Sequence, residues 1–232
     1  MPRGSPMDET LQAPLAKDRE QAIALNQDSV SRETWARLDA FVARVVQRQE
    51  TMNLIAPSTI PRIWTRHVAD SLQLLPLATG ARRWIDFGSG AGFPGLAIAC
   101  ALVETTGGQL HLVESTHKKA AFLRETIDAL HLPAIVHAQR IEDFTRSNKL
   151  RFEVVTARAV APLEKLLGYA NPLLKTGAVG LFPKGQDVEA ELTAASKSWK
   201  IDIDLIPSKT DPHGRIVLVR RLAKNQVRTK YL

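Results

Sequence analysis

A glycine-rich segment is the part of this sequence whose residue types most directly indicate ligand binding. The string DFGSGAGFPG occupies residues 86–95, follows an apolar strand pattern and precedes a helical one. Its four glycines carry no Cβ, so a ligand can lie directly against the main chain. The part GAGFPG also fits the GxGxxG pattern, which on its own is a weak signal. We therefore expect a nucleotide-like ligand at this loop, with Gly88 and Gly90 among its contacts.

The charges around the loop favour one class of ligand. A dinucleotide brings a pyrophosphate, which binds best to bare N–H groups with no anion nearby. Here Asp86 precedes the loop, and residues 86–99 contain no lysine or arginine. A carboxylate at this place favours a cationic ligand, and S-adenosyl-L-methionine carries a sulfonium and an ammonium but no phosphate. We predict S-adenosyl-L-methionine as the cofactor, with Asp86 as a contact, and keep NAD as the alternative.

Carboxylates follow the next two strand patterns. Glu114 ends the second strand pattern, where an acid can bind both ribose hydroxyls of a nucleoside. Because NAD sites use such an acid too, Glu114 locates a nucleoside without identifying it. Ile141, Glu142 and Asp143 follow the third strand pattern, where an adenine ring would lie. A helix-capping role for Glu114 and a solvated loop position for Glu142 remain open.

The fourth strand pattern ends in TARAVAP, so Arg158 lies at the mouth of the predicted site. It could bind a cofactor carboxylate or an RNA phosphate. The one cysteine, Cys100, lies in an apolar run and is expected in the core rather than as a nucleophile. The six histidines show no metal-binding spacing, and His67 suits a structural role at least as well as a functional one. We predict no metal and no catalytic side chain.

The elements that must position these residues alternate between strand and helix patterns. Strand patterns span residues 82–87, 109–114, 133–139, 152–160, 178–184, 201–207 and 215–221. Helical patterns between most of them predict an α/β fold with a mostly parallel, seven-stranded sheet covered on both faces. The last two strand patterns are too close for an intervening helix, so we expect an antiparallel hairpin with one antiparallel strand at the sheet edge.

Outside the sheet, the sequence divides into three further segments. Residues 1–28 are polar and contain three prolines, which predicts a flexible leader. A helical period begins after Ser31, a predicted N-cap, and a second helical pattern covers residues 62–77. Residues 29–79 are therefore predicted to form an N-terminal helical cap, residues 80–222 the sheet domain, and residues 223–232 a basic C-terminal tail.

Composition and charge limit the classes of function. The chain has 232 residues and a formal net charge of +7, and its last thirteen residues hold five basic residues and no acidic one. A polyanionic partner such as nucleic acid is plausible, with a merely solvated tail as the alternative. We find no apolar run long enough for a membrane helix and no secretory signal pattern, so we predict a cytoplasmic protein without a membrane partner.

Several strings together resemble one family. MNL, TRHVADSL, DFGSGAGFPG, VESTHKKAAFL, RAVAPL and PKG are similar in order and spacing to the RsmG (GidB) proteins, over roughly residues 30–222. These proteins are bacterial 16S ribosomal RNA guanine-N7 methyltransferases. The resemblance implies a Rossmann-like S-adenosylmethionine-dependent methyltransferase fold with an N-terminal helical addition. It also implies methyl transfer to N7 of guanine 527 in the 530 loop.

The resemblance assigns residues as well. By position, the cofactor contacts of the family fall on Gly88, Phe93, Ile141, Glu142 and Arg158. The partner would be 16S rRNA or the small ribosomal subunit, with a monomeric enzyme favoured. The residues expected to contact RNA are Arg66, His67, Lys184, Arg220 and Arg221. The alternatives are a methyltransferase that acts on another RNA or a small molecule, and an NAD-binding oxidoreductase.

Overall fold

The computed structural model describes residues 9–27 and 30–225. Within them seven strands form one sheet in the order β3-β2-β1-β4-β5-β7-β6. The strands are β1 Arg83–Phe87, β2 Gln109–Val113, β3 Ala134–His137, β4 Val154–Ala157, β5 Val179–Lys184, β6 Trp199–Pro207 and β7 Arg215–Lys224. Strands β1 to β5 pair in parallel, while β7 runs antiparallel to both β5 and β6.

The predicted α/β fold with an antiparallel edge hairpin is confirmed, with one correction to its geometry. The antiparallel strand is β7, which lies inside the sheet between β5 and β6, and β6 forms the edge. The hairpin loop reverses the chain between β6 and β7, so these two strands are antiparallel. Because β7 is the strand that pairs with β5, the antiparallel strand lies inside the sheet. Strand β7 also continues to Lys224, so residues 223 and 224 belong to the sheet rather than to a tail. The remaining tail residues 226–232 lie outside the described part of the chain.

Helices cover both faces of the sheet. They are α1 Glu9–Asn26, α2 Arg32–Gln49, α3 Asp70–Leu72, α4 Gly95–Leu102, α5 His117–Leu130, α6 Ile141–Ser147, α7 Leu163–Leu174 and α8 Val188–Ser196. Side chains of a strand alternate between the two faces. Trp84 packs with α2, α4 and α5 in one core, whereas its neighbour Ile85 packs with α6, α7 and α8 in the other. None of the helices described is long and apolar enough to cross a membrane.

The helical cap packs on the α4 and α5 face and shares its core. Ser31 is the N-cap of α2, as predicted, and its hydroxyl accepts a hydrogen bond from the Thr34 amide at 3.0 Å. The second predicted helix is interrupted instead of continuous. A 3₁₀ segment, Pro57–Arg62, is followed by a π-helical segment, Trp64–Ala69, which runs into α3. Such π-helical turns are often found at functional sites.

Helix α1 corrects the expectation of a flexible leader. Residues 9–26 are helical, and the buried carboxylate of Asp18 accepts hydrogen bonds from the main-chain amide of Trp64 at 2.8 Å and the hydroxyl of Thr65 at 2.6 Å. Arg19 pairs with Asp39 of α2. Helix α1 therefore fastens the start of the π-helical segment. Its polar, proline-containing sequence gave no helical apolar period, and residues 1–8 lie outside the described structure.

Candidate active site

The glycine loop follows β1 and is shaped by left-handed main-chain conformations. Gly88 and Gly90 have φ values of +64° and +54°, a region that residues with a Cβ adopt rarely. The amide of Gly88 donates to the Val113 carbonyl of β2 at 2.8 Å. A Cβ on Gly88 would lie 2.6 Å from Val160 Cγ2, whereas a Cβ on Gly90 would have as its nearest neighbour the Gly88 carbonyl oxygen, 3.7 Å away. Gly90 therefore presents bare main chain on an open side, as a ligand site requires.

Glu114 lies at the end of β2 and holds the loop. Its Oε2 accepts a hydrogen bond from the Gly90 amide at 2.9 Å, and its Oε1 accepts one from the Thr116 amide at 2.7 Å. A carboxylate has about four acceptor positions, so about two remain for a ligand. The arrangement supports both readings of this residue, because Glu114 caps the start of α5 and still lies beside the open main chain of Gly90.

Asp86 lies beneath the loop, with no solvent-exposed surface. The Thr156 hydroxyl donates to its Oδ1 at 2.9 Å, and Oδ2 has no hydrogen-bond partner among the described residues. Burial raises the pKa of this carboxyl to about 7. A Cβ on Gly95 would lie 2.7 Å from Asp86 Oδ2, so the close approach of this carboxylate requires a glycine at position 95. Asp86 supports the loop from below, and its direct contact with a cofactor stays a prediction.

Phe93 also points away from the open side of the loop. Its ring is 4% exposed and lies 4.9 Å from the ring of Phe41 in α2 and 5.1 Å from that of His67. The guanidinium of Arg158 lies 5.7 Å from the centre of the same ring. The ring thus joins the glycine loop to the cap, and contact of Phe93 with a cofactor stays a prediction.

Ile141 and Glu142 begin α6, directly after β3. Glu142 is exposed, and its carboxylate accepts a hydrogen bond from the Tyr169 hydroxyl of α7 at 2.7 Å. That hydrogen bond is the largest cause of the lowered pKa of Glu142. Both residues lie at the same edge of the sheet as Glu114, because β2 and β3 are parallel. Their contact with an adenine ring stays a prediction.

A cleft of about 740 Å³ opens beside the loop, between the cap and the carboxyl ends of β4 and β5. Val160, which packs against Gly88, also lines this cleft. Arg158, Arg66 and His67 line it from the β4 end and the cap, and Lys184 and Arg215 from β5 and β7. The cleft therefore contains three of the five residues predicted to contact RNA.

Arg158 is largely buried in this cleft, with 18% of its side chain exposed. Its Nη1 donates to Asp70 Oδ2 at 3.2 Å and to the Arg66 carbonyl at 3.0 Å, and its Nη2 donates to His67 Nδ1 at 2.6 Å. The sequence analysis did not identify Asp70 as a partner of Arg158. A signal was present, since His67 and Asp70 are three residues apart and so lie on the same side of a helical turn.

The other cations of the cleft already have partners. Lys184 donates to Glu191 at 2.8 Å and to the Ala161 carbonyl at 2.9 Å, and Arg66 pairs with Asp211 of the β6–β7 loop at 3.3 Å. Glu191 and Asp211 are residues that the sequence analysis did not single out. An RNA phosphate would have to compete with these carboxylates, so the charges of Lys184 and Arg66 are partly neutralised in advance.

Arg220 and Arg221 lie at the wrong end of the sheet for this cleft. Arg215 pairs with Lys184 at the carboxyl end of β5, whereas Val219 pairs with Gly180 near its start. At about 3.4 Å per residue, Arg220 lies roughly 17 Å from Arg215 along the strand. Arg220 also forms an ion pair with Asp204 of β6. These two arginines therefore lie away from the cleft, and their contact with RNA stays a prediction.

Comparisons with known proteins show to which family this chain is related. A family model described as rRNA small subunit methyltransferase G matches residues 34–212. The ribosomal RNA small subunit methyltransferase G of Nitrobacter hamburgensis is 53% identical over 214 residues, which cover 92% of this chain and 82% of that protein. The protein of the same name from Rhodopseudomonas palustris is 55% identical over 203 residues, covering 88% and 86%. This chain belongs to the rRNA small subunit methyltransferase G family. The predicted family is thereby confirmed, and the chain is an rRNA methyltransferase.

Solved structures of more distant proteins share the fold of this family member. An O-methyltransferase from Bacillus cereus superimposes with a TM-score of 0.57 at 16% identity, over 90% of this chain and 99% of that one. The O-methyltransferase TomG from Streptomyces achromogenes gives 0.58 at 14% identity, over 88% and 97%. The predicted methyltransferase fold is confirmed.

Proposed function

We propose that this chain transfers a methyl group from S-adenosyl-L-methionine to N7 of guanine 527, in the 530 loop of 16S ribosomal RNA. The observation that carries the proposal is that the open glycine loop adjoins, through Val160, a cleft lined by charged side chains at the carboxyl ends of β4 and β5. The loop offers a place for the methyl donor, and the cleft offers one for the acceptor base. The family relationship supports ribosomal RNA as the substrate.

The residues at the loop fit the proposed cofactor. Gly90 leaves its main chain open, and Glu114 retains acceptor positions for ribose hydroxyls. Ile141 and Glu142 would border the adenine ring at the end of β3. S-adenosyl-L-methionine bound there supplies a methyl group on a positively charged sulfur. The structural relatives from Bacillus cereus and Streptomyces achromogenes contain S-adenosyl-L-homocysteine and S-adenosyl-L-methionine, which supports this choice.

The acceptor atom determines what the chain must contribute. N7 of guanine has an in-plane lone pair and carries no proton, so no general base is required. The lone pair forms the new N–C bond, the electrons of the C–S bond pass to sulfur, and the positive charge passes to the guanine. The chain then acts by holding the two reactants at near-attack distance. This fits a cleft in which His67 and Asp70 are both bound to Arg158 instead of being poised for proton transfer.

Methylation of small ribosomal subunits and of free 16S rRNA with labelled S-adenosyl-L-methionine tests the proposal. We expect mass spectrometry of the digested RNA to place one methyl group on guanine 527. An RNA with 7-deazaguanine at that position keeps the Watson–Crick edge but has carbon in place of N7. We expect it to bind as tightly as the unmodified RNA and to accept no methyl group. Transfer to the deaza RNA at the normal rate would identify another acceptor atom and refute the mechanism.

A further inference from the structure

The cap orients the guanidinium of Arg158 and binds only some of its N–H donors. A guanidinium has five N–H donors. The hydrogen bonds to Arg66, Asp70 and His67 use three of them. Among the described residues no partner is present for the other two, and Arg158 lines the cleft. Arg158 therefore keeps two donors for a bound reactant, and their direction depends on the three groups that hold the guanidinium.

The contacts of His67 define which of its nitrogens carries the proton. Because a guanidinium can only donate, His67 Nδ1 accepts from Arg158 and is unprotonated. The proton is then on Nε2, which donates to the Thr59 hydroxyl at 2.9 Å, and that hydroxyl donates to the Ala56 carbonyl at 2.7 Å. Burial, with the charges of Arg158 and Arg66 nearby, lowers the pKa of His67 to about 3. The imidazole therefore remains a neutral acceptor for Arg158 at physiological pH.

His67 and Arg158 both pack against the glycine loop through Phe93. The ring of Phe93 lies 5.1 Å from the ring of His67 and 5.7 Å from the guanidinium carbon of Arg158. A shift of His67 would therefore move the guanidinium relative to both the loop and the cleft. The Asp70 carboxylate and the Arg66 carbonyl both bind Nη1, so a contact at a second nitrogen is needed to define the orientation of the guanidinium plane. His67 supplies that contact through Nη2.

We propose that His67 is a positioning residue, whose Nδ1 lone pair orients Arg158 so that its two remaining N–H groups bind an oxygen of a reactant, either the carboxylate of the methyl donor or an oxygen of the acceptor RNA. Two N–H donors of a guanidinium recognise an oxygen acceptor, such as a phosphate or a base carbonyl. The inference rests on the proposed function, since it takes the methyl donor and RNA as the two reactants. A cofactor carboxylate has the same chemistry, and the experiment below separates the two sources.

Two substitutions of His67 separate positioning from space filling. The amide oxygen of Asn is the same number of bonds from Cβ as Nδ1, so His67→Asn keeps an acceptor for Arg158 and loses the contact with Thr59. The amide of Gln reaches the position of Nε2, so His67→Gln keeps a donor for Thr59 and loses the acceptor at Nδ1. His67→Ala loses both. All three remove the ring from Phe93, so packing losses are similar and can be compared by thermal denaturation.

We expect the Ala variant to lower kcat/KM for RNA about 10- to 100-fold, because a misplaced guanidinium no longer fits the acceptor. The Asn variant should recover activity to within about threefold of wild type, while the Gln variant should stay near the Ala variant. Calorimetry separates the two sources of the oxygen. An affinity for S-adenosyl-L-methionine that falls in the Ala and Gln variants and recovers in the Asn variant assigns it to the cofactor carboxylate, and an equal affinity in all variants assigns it to RNA. Equal activity of the Asn and Gln variants, or recovery by Gln alone, would overturn the proposal.

Nitrogen-15 NMR of the full chain with labelled histidine tests the arrangement without any methylation. The His67 signals are identified by their absence in His67→Asn. We expect Nε2 to carry the proton and Nδ1 to be unprotonated at pH 6, and the Nδ1 shift to change in Arg158→Lys, which cannot reach three acceptors at once. A protonated Nδ1, or an Nδ1 chemical shift that is the same in the wild type and in Arg158→Lys, would contradict the proposed contact. Failure of the wild-type chain to methylate any RNA would instead refute the proposed function and leave this NMR result standing.

Discussion

The cofactor side and the acceptor side of the site are constructed in different ways. At the ends of β1 and β2, the main chain of Gly88 and Gly90 is shaped by local conformation and held by one carboxylate, Glu114. At the end of β4, Arg158 is held by Asp70, which is 88 positions away in the sequence. The cofactor side thus depends on local backbone freedom, whereas the acceptor side depends on ion pairs that only the folded chain brings together.

The difference has a consequence for how each side would select its ligand. The loop keeps open main chain and spare acceptor positions, so it is ready for a ligand with donors. In the cleft, Lys184 and Arg66 are already paired with carboxylates. We therefore expect the cleft to discriminate by the fixed direction of its donors more than by its net charge.

The largest effect is expected on the cofactor side. A Val side chain at Gly90 would occupy the open side of the loop, and a clash of about 3 kcal/mol weakens binding about 100-fold. Gly107→Val is the matched control, because Gly107 also has a positive φ, +73°, and has no neighbour closer than 4.0 Å. We expect calorimetry to show loss of S-adenosyl-L-methionine binding in Gly90→Val only. Equal losses in both variants would assign the effect to backbone strain.

The acceptor side should make stability dependent on pH. The pKa of His67 is lowered to about 3 in the folded chain from an ordinary value of 6.5, so the unfolded chain binds a proton that the folded chain does not. Its contribution is therefore fully present above pH 6.5 and is lost as the pH falls, by about 1.4 kcal/mol per pH unit.

Denaturant unfolding of the wild type and of His67→Asn at pH 7 and pH 5 measures this effect, because the other titrating groups are common to both. We expect the difference in unfolding free energy between them to shrink by about 2 kcal/mol at pH 5. A constant difference would mean that His67 is not held neutral.

A smaller effect is expected at Glu114. In Glu114→Gln the amide nitrogen cannot accept from the main chain, so the variant loses one of its contacts with the loop or with a ribose hydroxyl. Loss of a hydrogen bond to a charged group corresponds to about a tenfold weaker affinity for S-adenosyl-L-methionine. Glu142→Gln serves as the comparison at an exposed position, and should change the affinity less. The reverse order would place the nucleoside nearer to α6.

The smallest effect is expected from the two arginines on β7. Because Arg220 and Arg221 lie at the far end of the strand, their replacement by Gln should leave the salt dependence of RNA binding almost unchanged. Arg66→Gln, inside the cleft, should lower the slope of log affinity against log salt by up to about one. Filter binding between 50 and 200 mM salt measures both. A clear loss of slope in the Arg220/Arg221 variant would show that RNA extends over the opposite end of the sheet.

Much of the fold followed from local pattern. All seven strands were predicted, and the N-cap at Ser31 is present as expected. Helix α1 was missed because Ala22 is its one fully buried apolar residue among those described, while its buried carboxylate, Asp18, caps a segment 46 residues later. Helical periodicity reports an apolar face, and a polar contact of this kind leaves no such signal.

The sequence by itself determined the glycine loop, the alternation of strands and helices, and the carboxylate after β2, because each depends on residues that are near one another in the chain. Only the tertiary structure decided that Asp86 lies beneath the loop, that Asp70 and His67 hold Arg158, and that β7 carries its last arginines away from the cleft. These depend on burial, on the pairing of distant residues and on strand direction. Such quantities arise from long-range packing, so residue types and spacing along the chain do not contain them.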